Sequence, residues 1–209
     1  MSKIDITYHG HACFILEYDG YRIAIDPYDP TTPGYAPLCL TANMLLCSHG
    51  HHDHNYAQAV CMPLNELPCP FEIERLNCYH DEKQGALRGE NIIHILSAGG
   101  MRIAHFGDLG HLLSDEQIKA LGKLDVALVP VGGTYTIDPK QADRLCRSLD
   151  ARVIIPMHYR GDTFGYDNIA HIDEFLALRD DLCAFNSNTL TLSPDTPKMT
   201  AVCTYYSEE

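Results

Sequence analysis

Four of the chain's 12 histidines fall within six positions, in Ser48-His49-Gly50-His51-His52-Asp53-His54, directly after the apolar run Met44-Leu45-Leu46-Cys47. A run of that length suits a buried strand, so any fold that buries it must deliver imidazoles and a carboxylate together at its end. Imidazole nitrogen and carboxylate oxygen suit zinc and neighbouring divalent metals. A loop leaving a strand end can turn His49 and His51 toward one point while Asp53 and His54 aim at a second. The competing account is a solvated polar loop. Four ligand-type side chains placed straight after an apolar strand weigh against it.

The rest of the chain reads as strands first and strand–helix alternation later. Ile4–Tyr8 alternates apolar and polar residues, and Ala12–Tyr18 and Tyr21–Ile25 are joined at Asp19-Gly20, a two-residue hairpin signal. Asp26-Pro27 ends the third strand, and a loop rich in Pro, Gly and Thr runs from Tyr28 to Pro37. Phe71–Cys78, Asn91–Leu96 and Arg102–Phe106 read as strands, the last two flanking Gly99-Gly100. Ser114 with Gln117 marks a helix start. Val126–Val129 is a strand, Asp138-Pro139 opens a helix through about Leu149, Val153–Ile155 is a strand and Ile172–Leu178 a helix. Thr189–Leu192 and Met199–Tyr205 read as strands. Two strand-rich halves, each followed by helices, imply two packed sheets with helices outside, in one domain spanning residues 1–209.

Composition narrows the partners. A net charge of −13 disfavours nucleic acid, which asks for a basic face. The opening Met1-Ser2-Lys3-Ile4-Asp5-Ile6 has no apolar core for a signal peptide, and no apolar run reaches the roughly 18 residues of a membrane span. The nine cysteines are odd in number and form no C-x-x-C pair. Cys13 and Cys47 sit in apolar runs, where a free thiol behaves as a small hydrophobe. Reduced thiols in a cytoplasmic protein are expected, with no membrane partner. Oligomeric state is left open.

The segment His49-x-His51-x-Asp53-His54 resembles the H-x-H-x-D-H signature of the metallo-β-lactamase superfamily. Tyr8-His9-Gly10-His11-Ala12 followed by Asp26-Pro27 is similar to the amino-terminal strands of the branch that contains ascorbate-phosphate lactonase and uncharacterised metal-dependent hydrolases. Phe106-Gly107-Asp108, Val129-Pro130-Val131-Gly132-Gly133 and Pro156-Met157-His158-Tyr159 extend the likeness. The resemblance implies an α/β fold, the four-layer αββα sandwich, with a site at one edge between the sheets. It also implies a binuclear site: His49, His51 and His80 at one metal position, Asp53, His54 and His158 at the other, and Asp108 touching both. His80 follows His54 at a tight spacing, and an exposed loop histidine beside Asp81 is its bland alternative. His94 is its rival but lies within Ile92-Ile93-His94-Ile95, where a strand position is simpler. His52 falls at a variable motif position and is expected to face solvent. His11 and His105 are either partners behind the ligands or structural. His111 either faces the substrate or lies on the surface. His9 and His171 carry no functional expectation.

The expected cofactor is one or two divalent ions, zinc first, with manganese, iron or nickel as alternatives. The expected activity is hydrolysis of a small-molecule ester, lactone, amide or phosphodiester by a metal-activated hydroxide, with Asp53 and His111 as catalytic candidates and Tyr159 a further proton donor. The resemblance leans toward a small, phosphorylated metabolite. No P-loop and no G-x-S-x-G elbow is present. Two other classes remain: a metal-binding or sensing protein that keeps the fold without turnover, and di-iron redox chemistry, which would need an electron-carrying partner.

Overall fold

The computed structural model describes residues 2–64 and 67–205; Met1, part of the amino-terminal stretch read above, lies outside the described residues. In chain order the strands are β1 (Ile4–Gly10), β2 (Cys13–Tyr18), β3 (Tyr21–Ile25), β4 (Leu40–Thr41), β5 (Met44–Leu46), β6 (Val60–Cys61), β7 (Glu72–Tyr79), β8 (Glu90–Ala98), β9 (Met101–His105), β10 (Leu124–Pro130), β11 (Ala151–Met157), β12 (Leu182–Ala184), β13 (Thr189–Leu192) and β14 (Met199–Val202). Helices α1 (Asp115–Leu121), α2 (Pro139–Ser148) and α3 (Ile172–Leu176) follow β9, β10 and β11 in turn.

Local chemistry sets these elements. Asp19 and Gly20 both take positive φ, 51° and 74°, the backbone of a tight hairpin turn that matches strand twist. Ser114 and Gln117 cap α1 reciprocally, as Asp138 and Gln141 cap α2, which satisfies amide groups otherwise left orphaned at a helix start. In β1, Ile4, Ile6 and Tyr8 are buried while Asp5 and Thr7 are partly exposed. That alternation is the signature of a sheet with one face on the core.

The strands form a five-stranded sheet ordered β13-β1-β2-β3-β5, a seven-stranded sheet ordered β12-β14-β11-β10-β9-β8-β7, and a small β4-β6 pair. Ile4, Ile6, Phe14 and Leu16 of the first sheet share one apolar core with Leu96, Ile103, Val126 and Val153 of the second. Burying each such side chain stabilises the fold by about 1.5–3 kcal/mol. Alternate residues of β2, Cys13 and Ile15, face the other way and pack with Tyr28, Tyr35 and Leu40. The helices connect strands of the seven-stranded sheet, while the loop after β3 covers the outer face of the other. This is the expected αββα sandwich, with its cover over the five-stranded sheet built mainly from loop. Strands β4, β6 and β12, which pair as β4–β6 and with β14, are short segments that the hydrophobic pattern does not reveal. Among the described residues no helix is long and apolar enough to cross a membrane.

Strand direction decides where the ligand-type residues gather. In the first sheet β1 is antiparallel to β2, β2 to β3, and β3 is parallel to β5; β1, β3 and β5 therefore end on one edge. In the second, β7 is antiparallel to β8, β8 to β9, and β9, β10 and β11 are mutually parallel. Thus β7, β9, β10 and β11 also end together. Immediately beyond these strand ends lie His11, Asp26, the His49–His54 segment, His80, Asp108, Tyr135 and His158. Carboxyl ends of parallel strands are the usual place for a site in such sheets.

The turn after β9 is tightly held. Asn91 on β8 donates from its amide nitrogen to the Phe106 carbonyl at 2.9 Å and accepts from the Asp108 backbone N–H at 2.9 Å. Gly107 has φ +53°, and a Cβ there would lie 2.4 Å from Asn91 Oδ1 and 2.5 Å from Ser48 Cβ. Gly107→Ala is expected to destabilise the fold by roughly 2–5 kcal/mol, the sum of left-handed strain and overpacking. Denaturant unfolding tests this against Gly50→Ala, whose Cβ would meet nothing within 4 Å and should leave the midpoint in place. Equal midpoints for the two variants would contradict this account of the turn.

Candidate metal centre

Asp108 stands at the centre of the strand-end cluster and is only 2% exposed. Its Oδ1 lies 3.2 Å from His54 Nε2, and its Oδ2 lies 3.2 Å from both His80 Nε2 and His158 Nε2. Two of these imidazoles have their other nitrogen engaged. His54 Nδ1 meets Asp26 Oδ2 at 2.9 Å, and His80 Nδ1 meets the Tyr135 carbonyl at 3.0 Å. Carboxylate and carbonyl oxygens only accept, so Nδ1 carries a proton in each ring, and in the neutral form of either ring the Nε2 lone pair faces Asp108.

Asp26 extends this arrangement to a third imidazole. It is fully buried, accepts the Ser48 N–H at 2.7 Å, and accepts the Ser48 hydroxyl at 2.6 Å. With its own proton given to Asp26, the Ser48 hydroxyl accepts from His49 Nδ1 at 2.9 Å. The His49 Nε2 lone pair is thereby freed as well. Burial opposes the Asp26 charge, yet His54 and His105 outweigh it and hold the carboxyl at about 2. A carboxylate behind a ligand imidazole is the usual way of fixing its tautomer and orientation.

Several buried atoms at this centre have no hydrogen-bond partner: His11 Nδ1 and Nε2, His49 Nε2, His54 Nε2, Asp108 Oδ1 and His158 Nδ1. The 3.2 Å approach of His54 Nε2 to Asp108 Oδ1 is not a hydrogen bond, so a neutral His54 would meet the carboxylate acceptor to acceptor in a buried space. Such an arrangement is costly unless a cation intervenes. Ligand atoms of His49, His51 and His80 come within 4.8 Å of one another, as do those of His11, Asp53, His54 and His158. Imidazole-rich sets with carboxylates between them fit divalent zinc and its neighbours.

The electrostatics agree. Burial lowers His49 to about 3 and His11 to about 4, the latter with His158 adding to burial and Asp53 pulling back. Both rings are therefore neutral and able to coordinate at ordinary pH. Burial also disfavours a charged His54, but Asp108 and Asp26 on either side outweigh it and raise its pKa. Asp108 and Asp53 are lowered despite burial, Asp108 by His158 and His54, and Asp53 by His11 and His54. The pocket favours positive charge between carboxylates and imidazoles.

The residues expected from the sequence divide cleanly in space. His49, His51, Asp53, His54, His80, Asp108 and His158 converge on one point. His94 is a strand residue bonded to the Cys47 carbonyl at 3.0 Å. His105 meets the Ala12 carbonyl at 2.9 Å, and His52 is largely exposed. His111 stands apart from the centre: its Nε2 accepts from the Tyr79 N–H at 3.2 Å and its Nδ1 meets the Leu112 carbonyl at 2.8 Å. With both nitrogens committed to backbone, it has no proton to exchange with a substrate. Tyr159 is buried beside Tyr8 and Phe164 and is likewise removed from that role.

Other residues come to the centre without a sharp sequence signal. His11 approaches Asp53 Oδ2 at 3.3 Å, and its ring lies 4.3 Å from that of His158. Its position directly after β1, within Tyr8-His9-Gly10-His11-Ala12, is the available clue. His11, Asp26 and His158 take φ of 53°, 49° and 52°, a backbone strain of about 1–3 kcal/mol each that gathers at functional sites. Above the centre a cavity of about 570 Å³ opens over His51, His80, Asp53, Asp108 and His158. Arg88, Tyr135 and Tyr166 wall it. The Tyr166 hydroxyl donates to Asp53 Oδ2 at 3.2 Å.

Comparison with known proteins agrees with this geometry. Residues 5–158 match the β-lactamase superfamily domain. A metal-dependent hydrolase of Carboxydothermus hydrogenoformans is 27% identical over 190 residues, covering 74% of this chain and 84% of the relative. A crystal structure from Thermotoga maritima, described as a candidate zinc-dependent hydrolase of the metallo-β-lactamase superfamily, is 35% identical with a TM-score of 0.75, covering 96% of this chain and 98% of that one. A metallo hydrolase of Ignicoccus hospitalis, 22% identical with a TM-score of 0.61 over 91% of this chain and 99% of that one, shares the fold. Sequence, topology and the converging ligand set all lead to one assignment: the chain belongs to the metallo-β-lactamase superfamily.

Proposed function

We propose that this chain is a metal-dependent hydrolase of small molecules, with two neighbouring positions for divalent ions. His49, His51 and His80 would hold one ion, His11, Asp53, His54 and His158 the other, and Asp108 would touch both. The observation that carries this reading is the set of buried, unpartnered imidazole nitrogens gathered around Asp108, with the far nitrogens of His49, His54 and His80 already engaged. The names of the Carboxydothermus and Thermotoga relatives support it. Zinc is the first choice on ligand type, and manganese, iron or nickel accept similar sets. When bound, such an ion supplies Lewis acidity toward a substrate oxygen and brings the pKa of water to about 7.

The chain's own groups supply the rest. Asp53 stays ionised and faces the cavity, so it can orient an attacking water and take its proton. Tyr166 holds one Asp53 oxygen through its hydroxyl, which keeps that carboxylate in a single orientation. The Tyr135 hydroxyl accepts from Asn168 Nδ2 at 2.7 Å and so retains its own proton to give. It stands in the cavity wall, where it can serve a developing oxyanion or a leaving group. A cavity of about 570 Å³ suits a small ester, lactone, amide or phosphodiester.

Two outcomes follow. Zinc-loaded protein is expected to cleave at least one member of an ester, lactone, amide and phosphodiester panel, with activity lost on chelation and restored by metal. Asp108→Asn should lower kcat/KM by roughly 100-fold or more. Full metal occupancy with no turnover across the panel would instead favour a metal-binding or sensing protein.

Asp26→Asn removes the charge behind His54 and Ser48 without touching the ion. Metal affinity, read by chelator competition, should fall by roughly 10- to 100-fold. An unchanged affinity would exclude Asp26 as the anchor of these imidazoles.

A further inference from the structure

Arg88 has no place in the reading above, yet it stands in the wall of the same cavity as His51, Asp53 and Asp108. Among the described residues it is the one lysine or arginine in that wall, and no carboxylate forms an ion pair with it. Its guanidinium carbon lies 5.6 Å from the centroid of the Tyr135 ring. A cation placed over an aromatic face gains from the ring and keeps its N–H donors for another partner.

The loop that carries Arg88 is built to hold it still. Asp81, adjacent in sequence to the ligand candidate His80, is 2% exposed. Its carboxylate accepts backbone N–H groups from Lys83 at 2.7 Å, Gly85 at 3.1 Å, Leu87 at 3.0 Å and Arg88 at 2.7 Å. All four donors are backbone amides of the loop itself. The far end of the loop returns to its start, where the His80 N–H meets the Gly89 carbonyl at 3.1 Å. Arg88 is thus fixed relative to the metal centre through its own backbone. Tyr135 beneath it is pinned by Asn168 Nδ2 at 2.7 Å, and its carbonyl is held by His80 Nδ1 at 3.0 Å. An arginine serving only solubility needs no such support.

We propose that Arg88 is the anion-recognising group of the cavity, so that the substrate carries a carboxylate or phosphate group away from the bond that is cleaved. The inference rests on the hydrolase reading for the word substrate, but the anion site itself does not. A planar fork of N–H donors is matched to the oxygens of either group. The anionic group on Arg88 would orient the small molecule with its reactive end toward Asp108 and Asp53, and would keep its charge away from those carboxylates. In a chain of net charge −13, Arg88, the one basic side chain among the described residues of the cavity wall, also distinguishes anionic from neutral molecules of the same size.

The test uses zinc-loaded wild type, Arg88→Met and Arg88→Lys, with metal content and melting temperature recorded to show that each variant is folded and loaded. Calorimetric binding of phenylphosphonate and of benzoate should weaken roughly 10- to 100-fold in Arg88→Met, with Arg88→Lys in between. The anion that loses more identifies phosphate or carboxylate as the natural group. Equal affinity of wild type and Arg88→Met for both anions overturns the proposal. Kinetics with 4-acetoxybenzoate and 4-acetoxybenzylphosphonate should show KM rising by a similar factor in Arg88→Met, with kcat changed much less. Cleavage with unaltered KM in that variant overturns the anion site and leaves the hydrolase reading standing. Weakened anion binding in a metal-loaded protein that cleaves no ester, lactone, amide or phosphodiester of the panel does the reverse.

Discussion

A buried carboxylate surrounded by imidazole nitrogens governs this structure. Asp108 has His54, His80 and His158 each 3.2 Å from one of its oxygens. At His54 and His80 the proton is drawn to the opposite side of the ring by Asp26 and by the Tyr135 carbonyl. Bare imidazole lone pairs would repel that anion in a water-poor interior, and a divalent cation turns such repulsion into coordination. Much of the nearby chain is explained by holding that arrangement. Asn91 fixes both sides of the Gly107 turn, Ser48 joins His49 to Asp26, and Gly107 gives up a side chain so that Ser48 can approach.

Strand direction converts this local chemistry into a site. Six strands from two sheets, β1, β3, β5, β7, β9 and β11, each deliver a residue just past their carboxyl ends. Because the candidate ligands lie past six strand ends, the apolar core between the sheets sets the spacing of His11, Asp26, the His49–His54 loop, His80, Asp108 and His158. The three non-glycine residues His11, Asp26 and His158 adopt left-handed backbone at this edge. The strain is borne by the packing behind them: the His158 N–H bonds to the His11 carbonyl at 2.9 Å, tying the two strand ends to each other.

The sequence made the contiguous part of this site easy to read and the dispersed part hard. His49, His51, Asp53 and His54 share one loop, and the hydrophobic run before them announces its strand. His80, Asp108 and His158 are implied by the resemblance; apolar runs precede Asp108 and His158, whereas His80 follows the mixed, partly charged strand Glu72–Tyr79. His11 occupies an equivalent strand end but sits in a tight link between hairpin strands, where a structural role reads equally well. Asp26 looks like a strand stop beside proline until its bonds to Ser48 and His54 are visible. His111 lies close to Asp108 in sequence, yet the chain turns at Gly107 and carries it to the Tyr79 backbone instead. Arg88, Tyr135 and Tyr166 come from three loops with no shared pattern, and only the folded chain brings them to one cavity. The fold class followed from alternation, turn dipeptides and helix caps, whereas β4, β6 and β12 are too short to leave a periodic trace.

The central claim is that cations, and no shared proton, join Asp108 to its imidazoles. A crystal structure of zinc-loaded protein with anomalous data collected on both sides of the zinc edge tests it most directly. The account predicts anomalous density on both sides of Asp108, one peak contacting His49, His51 and His80 and the other contacting His11, Asp53, His54 and His158. A map without zinc at Asp108, in which His54 donates a proton directly to that carboxylate, would contradict it.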